Sequence, residues 1–272
     1  MRLALLTSTA LLLLAAGACD DLNLGGNGGG NTQGNAPPAA GSDIEILGLV
    51  TRYSVPGEST PTTFAQLAVL SLRADPPRFL GGVSDARLQA GSLEVALAGN
   101  PASGVFTVNS QRSALRYIPG ADYTFRFSIT DAAGTRQNIT AETTAPETVP
   151  SLELDPLLVG IAGQPLTITL RNLGDGGIVA VSRLEGTSAT TTFSSFTFTT
   201  PDTLASALDS MIAVAANPTF EIPGTAFPWA GRYRIEAHGY AIASERLGAR
   251  GMPGPNSWVA VGELVWVDLD IL

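Results

Sequence analysis

The stretch Tyr123-Thr124-Phe125-Arg126-Phe127-Ser128-Ile129 alternates apolar and polar side chains without a miss. Successive side chains of a strand point to opposite faces, so such a stretch buries one face and wets the other. Leu166-Thr167-Ile168-Thr169-Leu170-Arg171 and Val265-Trp266-Val267-Asp268-Leu269-Asp270-Ile271 repeat the pattern. Shorter apolar runs occupy 44–54, 66–73, 92–97 and 104–108, separated by Pro76-Pro77, Gly81-Gly82, Gly99-Asn100-Pro101 and Pro119-Gly120. Many short strands between turn signals predict an all-β fold built as antiparallel sandwiches. One segment departs from it. Pro201 suits a first helical position, Leu204, Leu208, Met211, Ile212 and Ala215 form a helical stripe, and Asn217-Pro218 ends it. The spacing predicts one short helix over 201–216 covering a sheet end, with a buried strand at 211–215 as the competing reading.

A repeated corner divides the chain. Pro119-Gly120-Ala121-Asp122-Tyr123-Thr124-Phe125 matches Trp229-Ala230-Gly231-Arg232-Tyr233-Arg234-Ile235: a turn, then a tyrosine opening an alternating strand. The tyrosines lie about 110 residues apart, close to one immunoglobulin-like domain. The corner resembles the F strand of that class, where a tyrosine hydroxyl returns to upstream backbone two residues before a cysteine. Phe125 and Ile235 occupy the cysteine position, so the inter-sheet disulfide is missing. The resemblance implies two tandem immunoglobulin-like sandwiches, 43–147 and 150–272, with the helix in the second. The extended linker is expected at Thr144-Ala145-Pro146-Glu147-Thr148-Val149-Pro150, where two prolines discourage both helix and central strand.

Composition removes much chemistry. The 272 residues hold 24 acidic and 15 basic groups, a formal charge of −9. Every basic residue is arginine, with one histidine (His238) and one cysteine (Cys19). Schiff-base and phosphate-loop lysine chemistry are excluded, as are an H-E-x-x-H site, a cysteine-type zinc site and an internal disulfide. The acidic balance opposes capture of nucleic acid.

Residues 1–18 carry a basic start at Arg2, an apolar segment and small residues, the layout of a secretory signal. Ala16-Gly17-Ala18-Cys19 resembles the lipobox of bacterial lipoproteins, with Ala16 where leucine is usual. The resemblance implies a diacylglycerol on Cys19 and cleavage before it, leaving a protein anchored to the membrane without spanning it. Residues 19–42, rich in Gly, Asn and Pro, hold too little apolar surface to offset ordering and read as a tether of about 25–30 Å. The bacterial cell envelope is the implied location, with the outer membrane expected over the inner.

Three constellations could carry function. His238, on the strand face with Arg234 and Glu236, lacks a Gly-x-Ser-x-Gly elbow and reads as a histidine on a solvated face. Asp268 and Asp270, with Glu263 nearby, could hold calcium or act as acid and base, yet no calcium loop accompanies them, so they read as a wet strand face. The loop 244–257, Ser-Glu-Arg-Leu-Gly-Ala-Arg-Gly-Met-Pro-Gly-Pro-Asn-Ser, is far longer than an ordinary hairpin connection. Arg246, Arg250, Met252 and the following Trp258 are residue types that favour interfaces. The expectation is therefore a non-catalytic envelope protein that needs no cofactor or metal. Its partner, an envelope protein or polysaccharide, would contact this loop. The alternatives are a passive spacer, a carbohydrate-binding module exposing Trp229, Trp258 or Trp266, or a hydrolase using only carboxylates.

Overall fold

The computed structural model describes residues 43–55, 59–73, 77–100, 104–130, 134–154, 160–186, 188–198, 200 and 203–272. The leader, Cys19, the tether and Pro201 fall outside the described residues.

The chain is mostly β with one helix, as the alternation predicts, but its strands are shared differently. The main sheet has nine strands. From one edge it runs β13 (Ser188–Ser194), β12 (Gly176–Glu185), β15 (Gly231–Ser244), β16 (Trp258–Ile271), β1 (Ile44–Tyr53), β2 (Thr62–Ser71), β7 (Val105–Asn109) and β6 (Ala98–Asn100). β3 (Arg78–Phe79) also pairs with β2. The sheet is mixed and curls into a half-barrel. All its named pairings are antiparallel except β1 with β16, where Leu47 lies opposite Trp258 and Val50 opposite Val261. A four-stranded sheet is ordered β5 (Leu93–Ala96), β4 (Ser84–Ala90), β8 (Asp122–Thr130), β9 (Arg136–Thr144). A three-stranded sheet is ordered β10 (Ser151–Glu153), β11 (Leu166–Arg171), β14 (Thr219–Ile222).

The expected pair of self-contained immunoglobulin-like sandwiches is thereby corrected. The proline-rich linker does fall between β9 and β10, yet the β1–β16 ladder carries backbone hydrogen bonds across it. Alternation along each strand is a local signal, and it carries no information about which distant strand completes the ladder.

Both faces of the large sheet are covered. On one face Ile44, Ile46, Val50, Leu67, Val69, Val259 and Val261 pack against Leu88, Val95, Phe125 and Phe127 of the four-stranded sheet. Farther along that face Val179, Val181, Ile235 and Ile271 pack against Leu166, Ile168, Leu170 and Ile222 of the three-stranded sheet. Glu263, at an odd position of β16 like Val259 and Val261, lies between these two cores. Arg52 meets both of its carboxylate oxygens at 2.7 and 2.6 Å. The central strands therefore bury both sides, which is why 62–71 shows no clean alternation: all ten residues of β2 are buried.

The opposite face carries Leu47, Leu49, Ala68, Leu70, Tyr240, Ile242, Trp258 and Ala260 beneath α1 (Leu204–Ala216). Leu204, Ala207, Leu208, Met211 and Val214 are the buried stripe of that helix. Thr203 makes no side-chain cap and Asn217 turns extended ahead of Pro218. A 13-residue helix without a cap is marginal alone, so its stability comes from this packing. Each fully buried Leu or Met contributes roughly 1.5–3 kcal/mol.

Both tyrosine corners form as read. Tyr123 Oη accepts from Ile118 N at 2.8 Å and donates to Arg116 O at 3.2 Å. Tyr233 Oη donates to Trp229 O at 2.9 Å.

Candidate functional site

The loop 244–257 is tied down at both of its arms. Its first turn closes by Gly248 N donating to Glu245 O and Ala249 N to Ser244 O, both at 3.0 Å, with Gly248 at φ 91°, a left-handed conformation that suits glycine. The Arg246 guanidinium then reaches the helix, pairing with the Asp209 carboxylate and donating to Ala205 O. The far arm is fastened to β1. Asn256 Nδ2 donates to Glu45 Oε1 at 2.7 Å, and Ser257 Oγ accepts from Ile46 N at 2.9 Å. Gly254 lies against the Ile44 carbonyl with no room for a Cβ.

The four expected contact residues separate into different roles. Arg250 is exposed. Arg246 is partly exposed but engaged with α1. Met252 packs partly into the core between the large and four-stranded sheets. Trp258 is corrected from surface contact to interior anchor: it is fully buried, edge-on to Phe196, with Nε1 donating to Leu204 O at 3.4 Å. The residue that composition did not single out is Leu247, 42% exposed in the loop's first turn.

The solvated-face reading of His238 is overturned. His238 and Glu236 are buried. Thr51 Oγ1 lies 3.3 Å from His238 Nδ1 and 2.8 Å from Tyr240 Oη, while the imidazole stacks on the Tyr240 ring. Ser54 Oγ donates to Glu236 Oε1 and accepts from Arg234 at 3.0 Å. His238 Nε2 and Glu236 Oε2, 3.6 Å apart, have no hydrogen-bond partner. Hydroxyl, imidazole and carboxylate stand in the order of a nucleophilic triad. Burial of all three residues, with the Thr51 hydroxyl held by Tyr240, leaves no approach for a substrate to Thr51. The burial of Tyr240 pushes its phenol well above the usual range, so it stays protonated and able to donate.

Asp268 takes hydrogen bonds from Arg234 Nε at 2.7 Å and Arg232 at 3.1 Å. The Arg234 hydrogen bond holds its carboxyl below the ordinary range, which suits an ion pair and not a general acid. Asp270 is exposed. Among the described residues no group of three or more His, Cys, Asp or Glu side chains could hold a metal ion. Nor is any described helix long and apolar enough to cross a membrane.

No protein-family model matches the chain, and no curated protein matches it. Among solved structures it is similar to the tetra-tandem repeat in the extending region of a large adhesion protein, at 14% identity and a TM-score of 0.23. It is also similar to dimeric latent PorU from Porphyromonas gingivalis, at 13% identity and a TM-score of 0.24. These alignments cover 83% and 91% of this chain but 50% and 21% of the other two. The chain thus spans about half of the adhesion-protein fragment and about a fifth of PorU. Both likenesses are distant.

Proposed function

We propose that this chain is a lipid-anchored protein of the bacterial envelope that recognises a partner without catalysis, through the loop 244–257. The observation that carries this reading is the loop's construction. A long connection is fixed to α1 at one arm and to β1 at the other, while Leu247 and Arg250 stay exposed. A pre-ordered surface loses little further entropy on binding, so a modest patch can hold a partner. The anchor is the Cys19 thioether implied by the lipobox, and the partner is an envelope protein.

The test uses Leu247→Ser combined with Arg250→Glu, because excising 246–255 would also remove Gly254 from its seat on β1. Crosslinking in native envelopes is expected to recover a protein with the unaltered chain and to lose it with the double variant, at an unchanged melting temperature. Cys19→Ala is expected to release the chain to the soluble fraction. Equal recovery by both forms, or none, overturns the loop's role; unchanged membrane partition of Cys19→Ala overturns the anchor.

A further inference from the structure

Of the three tryptophans, Trp258 is fully buried and Trp266 is partly buried with the Arg234 guanidinium 5.5 Å from its ring centre. Trp229 is different: it is 60% exposed. It is also held in place from several sides. Its carbonyl accepts from Tyr233 Oη. Two residues earlier, Phe227 is fully buried, edge-on to the Tyr233 ring at 5.3 Å, and its carbonyl accepts from Gly163 N at 2.7 Å. The Arg183 guanidinium lies 5.3 Å from the Trp229 ring centre and covers one face of the indole. The guanidinium runs past Gly231, where a Cβ would stand in ordinary contact, 3.5 Å from Arg183 Nε. Arg183 in turn pairs with Glu185 at 3.3 Å.

We infer that Trp229, Arg183 and Glu185 form a carbohydrate-binding platform that takes a neutral pyranose chain. A flat ring with one face occupied and the other in solvent matches the C–H face of a single sugar ring. A guanidinium and a carboxylate side by side supply donors and acceptors for vicinal hydroxyls. The pair carries no net charge, so it complements a neutral polyhydroxylated ligand and gives a multiply charged anion nothing to prefer. The tyrosine corner fixes the Trp229 backbone and Arg183 packs on the indole, which together lower the ordering cost that a mobile tryptophan would bring.

Trp229 precedes β15 and the loop 244–257 follows it, so the two surfaces sit at opposite ends of a 14-residue strand, about 45 Å apart. The inference therefore stands independently of the loop's role. The test is calorimetric titration of the full chain with cellohexaose, chitohexaose and mannohexaose at millimolar concentrations. At least one is expected to bind saturably, and Trp229→Ala to weaken that binding about tenfold or more. Trp229→Phe should keep part of it, and Glu185→Gln should lower it. The Leu247→Ser and Arg250→Glu variant should bind sugar like the parent chain. No saturable heat with any of the three sugars overturns the inference, and so does a Trp229→Ala chain that binds as the parent does.

Discussion

Asp268 shows what one strand-face carboxylate contributes once its neighbours are known. Arg234 and Arg232 favour its charged form, so its folded pKa lies below the unfolded value. Its stabilisation is therefore complete above the unfolded pKa, about 4, and is lost as pH falls through the folded one. In urea unfolding between about pH 5 and pH 2.5, the stability gap between the parent chain and Asp268→Asn should shrink steadily. A gap that stays constant across that window would show the ion pair to be without effect. At this scale the sequence was legible where partners are local. The tyrosine corners could be read because Tyr123 meets Arg116 and Ile118, and Tyr233 meets Trp229, with partners 7, 5 and 4 residues away. His238 could not, because the hydroxyl that holds it belongs to Thr51, 187 positions away. Nothing near His238 in sequence marks its strand face as the covered one.

Gly262 lets two elements of the large sheet lock together. It stands opposite Tyr240 in the β15–β16 ladder, and a Cβ there would overlap the tyrosine ring. The bare backbone lets Tyr240 lie across β16 and hydrogen-bond Thr51 on β1, so one side chain joins three strands. Gly262→Ala should destabilise the chain by about 2–4 kcal/mol, the cost of overpacking plus a lost buried hydrogen bond. Tyr240→Phe, which loses only the hydroxyl contact, should cost about 1–2 kcal/mol. Chemical denaturation of both separates the two effects, and equal losses would mean that the ring is not displaced. The helix was legible from the apolar stripe Leu204, Leu208 and Met211, although the apolar run 211–215 taken alone also reads as a buried strand. β16 was legible only in its second half. From Trp258 to Leu264 both faces are buried, so the alternation that reveals 265–271 is absent there.

The β1–β16 pairing decides how the whole molecule behaves. β1 opens the described chain and β16 closes it, and their parallel ladder makes a single sheet from strands on both sides of the 144–150 linker. The same pairing sets where the chain enters. Ile44, Glu45 and Ile46 lie against Gly254, Asn256 and Ser257, so the segment from Cys19 joins at the end that carries the loop 244–257. Two sandwiches joined by a linker would melt independently, whereas a shared sheet couples them, since separating the halves strips β1 and β16 of their partner and bares Val259, Val261 and Trp258. The full chain is expected to unfold in one calorimetric transition, with van't Hoff and calorimetric enthalpies in agreement. Residues 43–147 and 150–272 expressed separately should be aggregation-prone or unfolded, and mixing them should restore ordered strand signal. Two resolved transitions in the full chain, or two fragments that each fold alone, would show that the ladder between β1 and β16 is dispensable and that each half completes its own core.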